Sequence, residues 1–132
     1  ELLAAFIEQH RATPFAWGRH DCALFAADAI HVMTGVDLAE AFRLQYDSAL
    51  GAACKMKAFS GGGLGKVAEK ICVENAMEEI PTCTAQRGDL VLFDLPGHES
   101  LGIVTGANAL FAGTHAPTEL PVGACRRAWR VG

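Results

Sequence analysis

Charge is scarce in this sequence. Only 20% of its 132 residues are Asp, Glu, Lys or Arg, and the formal net charge is −4. A mildly acidic chain of this kind has no general electrostatic attraction to nucleic acid or anionic lipid, so nucleic-acid binding is disfavoured. Paired cysteines are missing too. The five cysteines, at positions 22, 54, 72, 83 and 125, form an odd set with no C-x-x-C spacing, which fits neither a disulfide framework nor a zinc knuckle. A reducing compartment at synthesis is the simpler setting. No long uninterrupted apolar run is present, and the first residues lack the basic-then-apolar pattern of a signal peptide. The sequence therefore predicts neither membrane insertion nor unaided export. Glu1 stands where an initiator Met is usual, so a trimmed or omitted targeting piece upstream is compatible with it. The Cys and His positions also lack metal-ligand spacing, and no metal or cofactor is expected from this chain alone, a cluster shared with a partner remaining open. The glycine-rich "SGGGLGKV" resembles a phosphate loop only superficially. Ser60 stands at the first glycine position, Val67 stands where Ser or Thr is needed, and no strand precedes it, so it reads as a helix break.

What the sequence does have is apolar residues, 51% of the total, enough for one domain spanning 1–132 to build a core. Leu2 to His10 places Leu3, Phe6 and Ile7 on one helical face, and Thr13-Pro14 stops that helix. Asp21 is placed to cap a helix from Cys22 to about Thr34, which Gly35 ends in the left-handed conformation. Alanines at 23, 26, 27 and 29, with Leu24, Phe25, Ile30 and Met33, make this helix apolar nearly all round and therefore buried. "DLAEAFRLQY" and "DSALGAACKMKAF" read as further short helices, separated by Gly61 to Gly63 from "LGKVAEKICVENAMEEI". From Arg87 onward the runs "RGDLVLFDL", "SLGIVTG", "NALFAG" and "RRAWRV" are short and β-rich, punctuated by glycine and proline. Helices followed by strands indicate an α+β fold with a small antiparallel sheet. Trp129 with Arg126, Arg127 and Arg130 reads either as cover for the sheet edge or as a docking surface for a neighbour.

Cys22 carries the chemical question. A thiol in the first turn of a helix faces unpaired backbone N–H groups and the positive end of the helix dipole, and both favour the thiolate. Asp21 opposes this by charge, unless its oxygens are turned onto those N–H groups. The alternative is that Cys22 packs as a small apolar residue.

The segment "PFAWGRHDCALF", followed by "RGDLVLF" and "SLGIVTG", resembles the NlpC-type cell-wall cysteine peptidases, a papain-like family. Its pattern is Tyr-x-Trp-Gly, Asp-Cys-Ser-Gly heading a helix, Gly-Asp-Leu-Val-x-Phe, then His-Val-Gly-Ile on a strand. Trp17, Gly18, Asp21, Cys22, Gly88, Asp89, Leu90, Val91, Phe93, Gly102 and Ile103 match. The resemblance implies a papain-like fold in which the Cys-bearing helix packs on the sheet, with Cys22 as the nucleophile. Trp-Gly-x-x-Asp-Cys with "LFAADAIHVMTGVD" and a terminal "AWRV" is more closely similar to a small phage and prophage branch encoded beside tail-tip hub genes.

Two departures bear on chemistry. The family's general-base histidine corresponds to Ser100, and the tyrosine whose hydroxyl helps the oxyanion corresponds to Phe15. His98, two residues upstream of Ser100 and on the same strand face, and His115, after the second hairpin strand, are the substitute bases. His20 is too close in sequence to Cys22 to reach its sulfur, and His10 and His31 read as surface or helix-packing residues. The resemblance thus implies a phage or prophage tail-tip component on a cysteine-peptidase fold, structural, with weak or lost catalysis. Its partners would be tail hub and distal tail proteins, and its location the virion tail tip, after assembly in the host cytoplasm. The alternative is an active peptidase on peptidoglycan stem peptides during phage genome delivery, with Cys22 attacking and His98 or His115 as base. A host amidase or transferase on the same fold is a third reading.

Overall fold

The alanine-rich run after Asp21 folds as the central helix. Small side chains let its neighbours approach closely, and Leu24, Phe25, Ala26, Ala29 and Ile30 are all fully enclosed. The structure, a computed structural model, describes residues 1–95 and 98–132. Four helices come first: α1 (Leu2–Gln9), α2 (Leu24–Thr34), α3 (Ala49–Ser60) and α4 (Leu64–Glu74). The strands β1 (Glu79–Ile80), β2 (Leu90–Leu95), β3 (His98–Val104), β4 (Asn108–Phe111), β5 (Thr118–Pro121) and β6 (Arg127–Trp129) come after them. They form one antiparallel sheet of order β1-β6-β2-β3-β4-β5. This is the α+β architecture the residue pattern predicts, with the Cys-bearing helix against the sheet.

Alternation along the strands divides the core. Leu90 and Leu92 of β2, with Leu101 and Ile103 of β3, face the helices and pack with Leu3, Phe25 and Trp129. Val91 of β2 and Val104 of β3 face the other way and pack with Ala109, Phe111 and Ala128. Ile80 of β1 and Leu120 of β5 both join that second cluster, so the sheet curls until its two edge strands share one core. A third cluster, Leu24, Ala27, Ala39, Phe42 and Val67, ties α2 and α4 to the segment after α2.

Several boundaries differ from the sequence-based expectation. Regular α2 begins at Leu24 rather than Cys22, because Ala23 is the boundary residue and Asp21 caps the turn before it. "DLAEAFRLQY" forms turns instead of a helix. Asp37 Oδ1 accepts the Ala39 N–H at 3.1 Å and the same carboxylate binds the Arg43 guanidinium, while Leu44 turns to φ 58°, which no helix continues. The end of "LGKVAEKICVENAMEEI" is the short strand β1. "RRAWRV" is not an edge: β6 lies between β1 and β2, and Trp129 is 2% exposed. The arginines around it are paired within the chain, Arg126 with Asp94, Arg127 with Glu69 and Glu79, and Arg130 with Asp89. The Pro96-Gly97 pair, a turn signal in the sequence, lies outside the described residues. Among those residues no helix is long and apolar enough to cross a membrane.

Candidate functional site

The site is built on the Trp17–Cys22 turn. Gly18 takes φ +79°, and a methyl group on it would lie 2.1 Å from the Tyr46 carbonyl oxygen, so only glycine fits this turn against the 44–46 segment. Asp21, fully enclosed, organises the entry to α2. Its Oδ1 accepts the N–H groups of Ala23 at 3.0 Å and Leu24 at 2.9 Å, and its Oδ2 accepts the Gly18 N–H at 2.9 Å and the Tyr46 O–H at 2.7 Å. Its carbonyl accepts the Phe25 N–H at 3.2 Å. Cys22 therefore stands inside a capped first helical turn, although the regular helix starts two residues later.

β4 pairs with β3 only from Gly102 to Val104, so the preceding part of β3 has a free edge on that side. Cys22 docks there, its carbonyl accepting the Leu101 N–H at 2.8 Å. An open groove of about 480 Å³ runs past Cys22. Trp17 and Cys22 form one wall, Ala52 and Met56 of α3 another, and the Gly61–Gly63 loop with His98 and Glu99 of β3 the third.

The glycine loop has a second task beyond breaking the helix. A methyl group on Gly63 would come within 2.6 Å of Glu99 Oε1, and one on Gly65 within 2.8 Å of Oε2. The two glycines thus make room for a carboxylate over the first turn of α4, where the dipole and free N–H groups favour negative charge.

The electrostatics around Cys22 run against the thiolate. Burial pushes the thiol up to about 12, and the Asp21 and Glu99 carboxylates push the same way, while a backbone hydrogen bond offsets part of the rise. The helix N-terminus identified from sequence is present, but Asp21 already occupies its N–H groups and Cys22 is 5% exposed. The expected preference for thiolate is therefore reversed by desolvation, the largest contribution.

The structure brings only some of the other sequence-predicted residues to this groove. His98 opens β3 and, with Cys22, lines the groove, and the continuous strand puts it on the same face as Ser100. Ser100 is buried opposite Phe93. His115 is exposed in the segment between β4 and β5 and is not among the groove-lining residues. Its neighbour Thr114 accepts the Phe15 N–H at 3.2 Å. Phe15 sets its ring edge-on to Trp17 at 4.7 Å. His20 is buried, stacked on His10 at 5.3 Å and edge-on to Phe25, with no partner for Nε2 among the described residues, while His31 is exposed. Asp89 accepts from Gln86, Arg130 and Val131 and so anchors the C-terminal segment to the start of β2. Among the described residues, no group of three or more His, Cys, Asp or Glu is placed to hold a metal ion. Tyr46 and Glu99 carry no sequence signal of their own, since neither sits in a motif. The positive-φ Leu44 turn and the glycine loop deliver them.

Compared with protein families, residues 1–131 match the profile described as "Domain of unknown function (DUF6950)". The chain belongs to the DUF6950 family. The structure of this DUF6950 protein is similar to the crystal structure of the NlpC/p60 domain of the peptidoglycan hydrolase SagA. The TM-score is 0.59 over 97% of this chain and 95% of that one, at 19% identity. At that identity the likeness establishes the fold, and the DUF6950 chain has the NlpC/p60 papain-like fold the motifs imply. No curated protein matches the sequence.

Proposed function

We propose that this DUF6950 protein is a phage or prophage tail-tip component built on the NlpC/p60 fold, in which cysteine-peptidase chemistry is weak or lost. The observation that carries the second half is the state of Cys22. A nucleophilic thiol has to reach its thiolate near neutral pH, and here burial, Asp21 and Glu99 hold the proton on sulfur. The positions that would supply a base and a hydroxyl donor in the resembled family are Ser100 and Phe15. Loss of both groups costs acyl-transfer enzymes several orders of magnitude in rate. The tail-tip role is supported by the two separated segments, Trp17–Asp37 and Ala128–Val131, that resemble the phage and prophage branch. Its partners are then tail hub and distal tail proteins, and its place is the virion tail tip after assembly in the host cytoplasm. Imaging and mass spectrometry of purified tail particles from a host carrying the gene test this. The chain is expected in the particle at the tip, and particles that lack it while containing hub and distal tail proteins would refute the assignment.

One observation favours a second reading. Cys22 and His98 line the same groove, so a peptidoglycan stem peptide lying in it would meet both. In that reading Cys22 attacks the peptide carbonyl and His98 takes the thiol proton, with His115 as the other candidate base. A substrate that displaced water and turned His98 toward Cys22 would have to supply the activation that the free protein lacks.

A further inference from the structure

Behind Cys22 lies a second space. An apolar cavity of about 40 Å³ sits between α2, α4 and the turn after α2. Its walls include Ala23, Ala27, Ala68, Leu101 and Tyr46. Ala27 of α2 and Ala68 of α4, with Ala23 at the entry to α2, leave the space open. The Tyr46 hydroxyl is turned onto Asp21 and is already engaged, which leaves on the wall only the Cys72 thiol, a weak donor. Holding a water takes about 10–15 Å³ and two to four polar partners. This cavity has the room several times over and lacks the partners, so it suits apolar matter.

Met56 and Leu64 belong both to the cavity wall and to the wall of the Cys22 groove. They stand between these two spaces, as Leu38, Phe42 and Ile71 stand between the cavity and a surface pocket at the other end of α4. Met56 is half-buried at the midpoint of α3, and an unbranched thioether with three rotatable bonds is the side chain best able to swing aside. Ala23, which lines the cavity, directly follows Cys22, which lines the groove. A residue whose side chain enters the cavity would therefore present its own peptide group beside Cys22.

We propose that this cavity is a side-chain subsite of the groove, gated by Met56, and that it takes a branched aliphatic side chain of a peptide lying along the groove. The proposal rests on the Cys22 groove being the ligand-bearing face and does not depend on turnover, so a failure to hydrolyse muropeptides bears on the reading above and leaves this one to binding. The test titrates N-acetyl-leucinamide and N-acetyl-glycinamide into the ¹⁵N-labelled full chain and monitors amide shifts. Saturable shifts at Ala27, Leu64 and Ala68 are expected with the leucine compound, at an affinity about tenfold or more above that of the glycine compound. Ala68→Leu, which fills the cavity, should abolish that preference. Ala27→Val does the same from the opposite helix, and serves if Ala68→Leu does not fold. Equal affinity for the two compounds, no saturable shift at the cavity residues, or a leucine preference that persists in a folded cavity-filled variant overturns the proposal.

Discussion

Alkylation of Cys22 should be slow, and the structure sets by how much. Its thiol is raised from the ordinary 9.0 to about 12, so at neutral pH its thiolate fraction is about 1,000-fold below that of an unperturbed cysteine. Thiolates of higher basicity are better nucleophiles, with a Brønsted coefficient of about 0.4–0.5, which returns about 20- to 30-fold. The net effect is a rate about 40-fold lower than that of an unperturbed thiol, before any shielding of a sulfur that is 5% exposed. Brief iodoacetamide treatment of the folded protein, with peptide mapping over a pH series, measures it. Cys54 and Cys83 should label first. Cys22 should lag and keep rising about tenfold per pH unit above pH about 9, because it is still gaining thiolate. Asp21→Asn removes the second-largest cause of the shift and should speed Cys22 labelling relative to the exposed pair. Cys22 labelling ahead of Cys54 and Cys83 in the folded protein would refute the reasoning and restore an activated nucleophile at the helix N-terminus.

The same geometry sets three stability outcomes. Gly18→Ala should destabilise the protein by about 2 kcal/mol or more in a urea titration, since it combines a left-handed φ with a methyl group 2.1 Å from the Tyr46 carbonyl; an unchanged midpoint would mean that the 44–46 segment moves freely. Asp89→Ala strands the Gln86 and Val131 N–H groups and leaves the Arg130 guanidinium with only the Thr84 carbonyl, and should cost about 2–4 kcal/mol by the same measurement. His20 is held below the ordinary imidazole value of 6.5, first by burial and then by His10, with Asp28 and Asp21 acting the other way. A depressed folded value means that the unfolded chain binds the proton more readily, so His20 contributes stability above pH 6.5 that is lost as pH falls through its folded value. His20→Phe should flatten the fall in thermal midpoint below about pH 6.5, and an unchanged pH profile would discount His20 as its source.

The parts of the fold that can be read from sequence are those whose signal is local. Asp21 and Gly35 mark the two ends of one helix because a cap and a left-handed stop are single-residue devices. The alternation in "RGDLVLFDL" and "SLGIVTG" reports which strand face meets the helices. β5 is illegible in the sequence, because Pro117 and Pro121 frame a four-residue edge strand that carries almost no pattern. The segment after α2 has helical composition, yet Asp37 and the positive φ of Leu44 turn it, and that turn brings the Tyr46 hydroxyl to Asp21. The site shows the same division. Cys22, His98 and the motif around Asp21 are visible in the residue pattern, and so is the favourable helix N-terminus. The desolvation that outweighs it is not, because burial depends on how β3 and the glycine loop close around the thiol. Glu99 lies over α4 only because Gly63 and Gly65, separated from β3 in sequence by the rest of α4 and by β1 and β2, leave room for it.

The central claim is that an NlpC/p60 fold here carries a nucleophile position without working peptidase chemistry. The most direct measurement incubates the purified full chain and its Cys22→Ala variant with muropeptides and detects products by mass spectrometry. Weak or absent cleavage, the same in both proteins, is the predicted result. Robust cleavage that disappears with Cys22→Ala would contradict the account, and His98→Ala and His115→Ala would then identify the base.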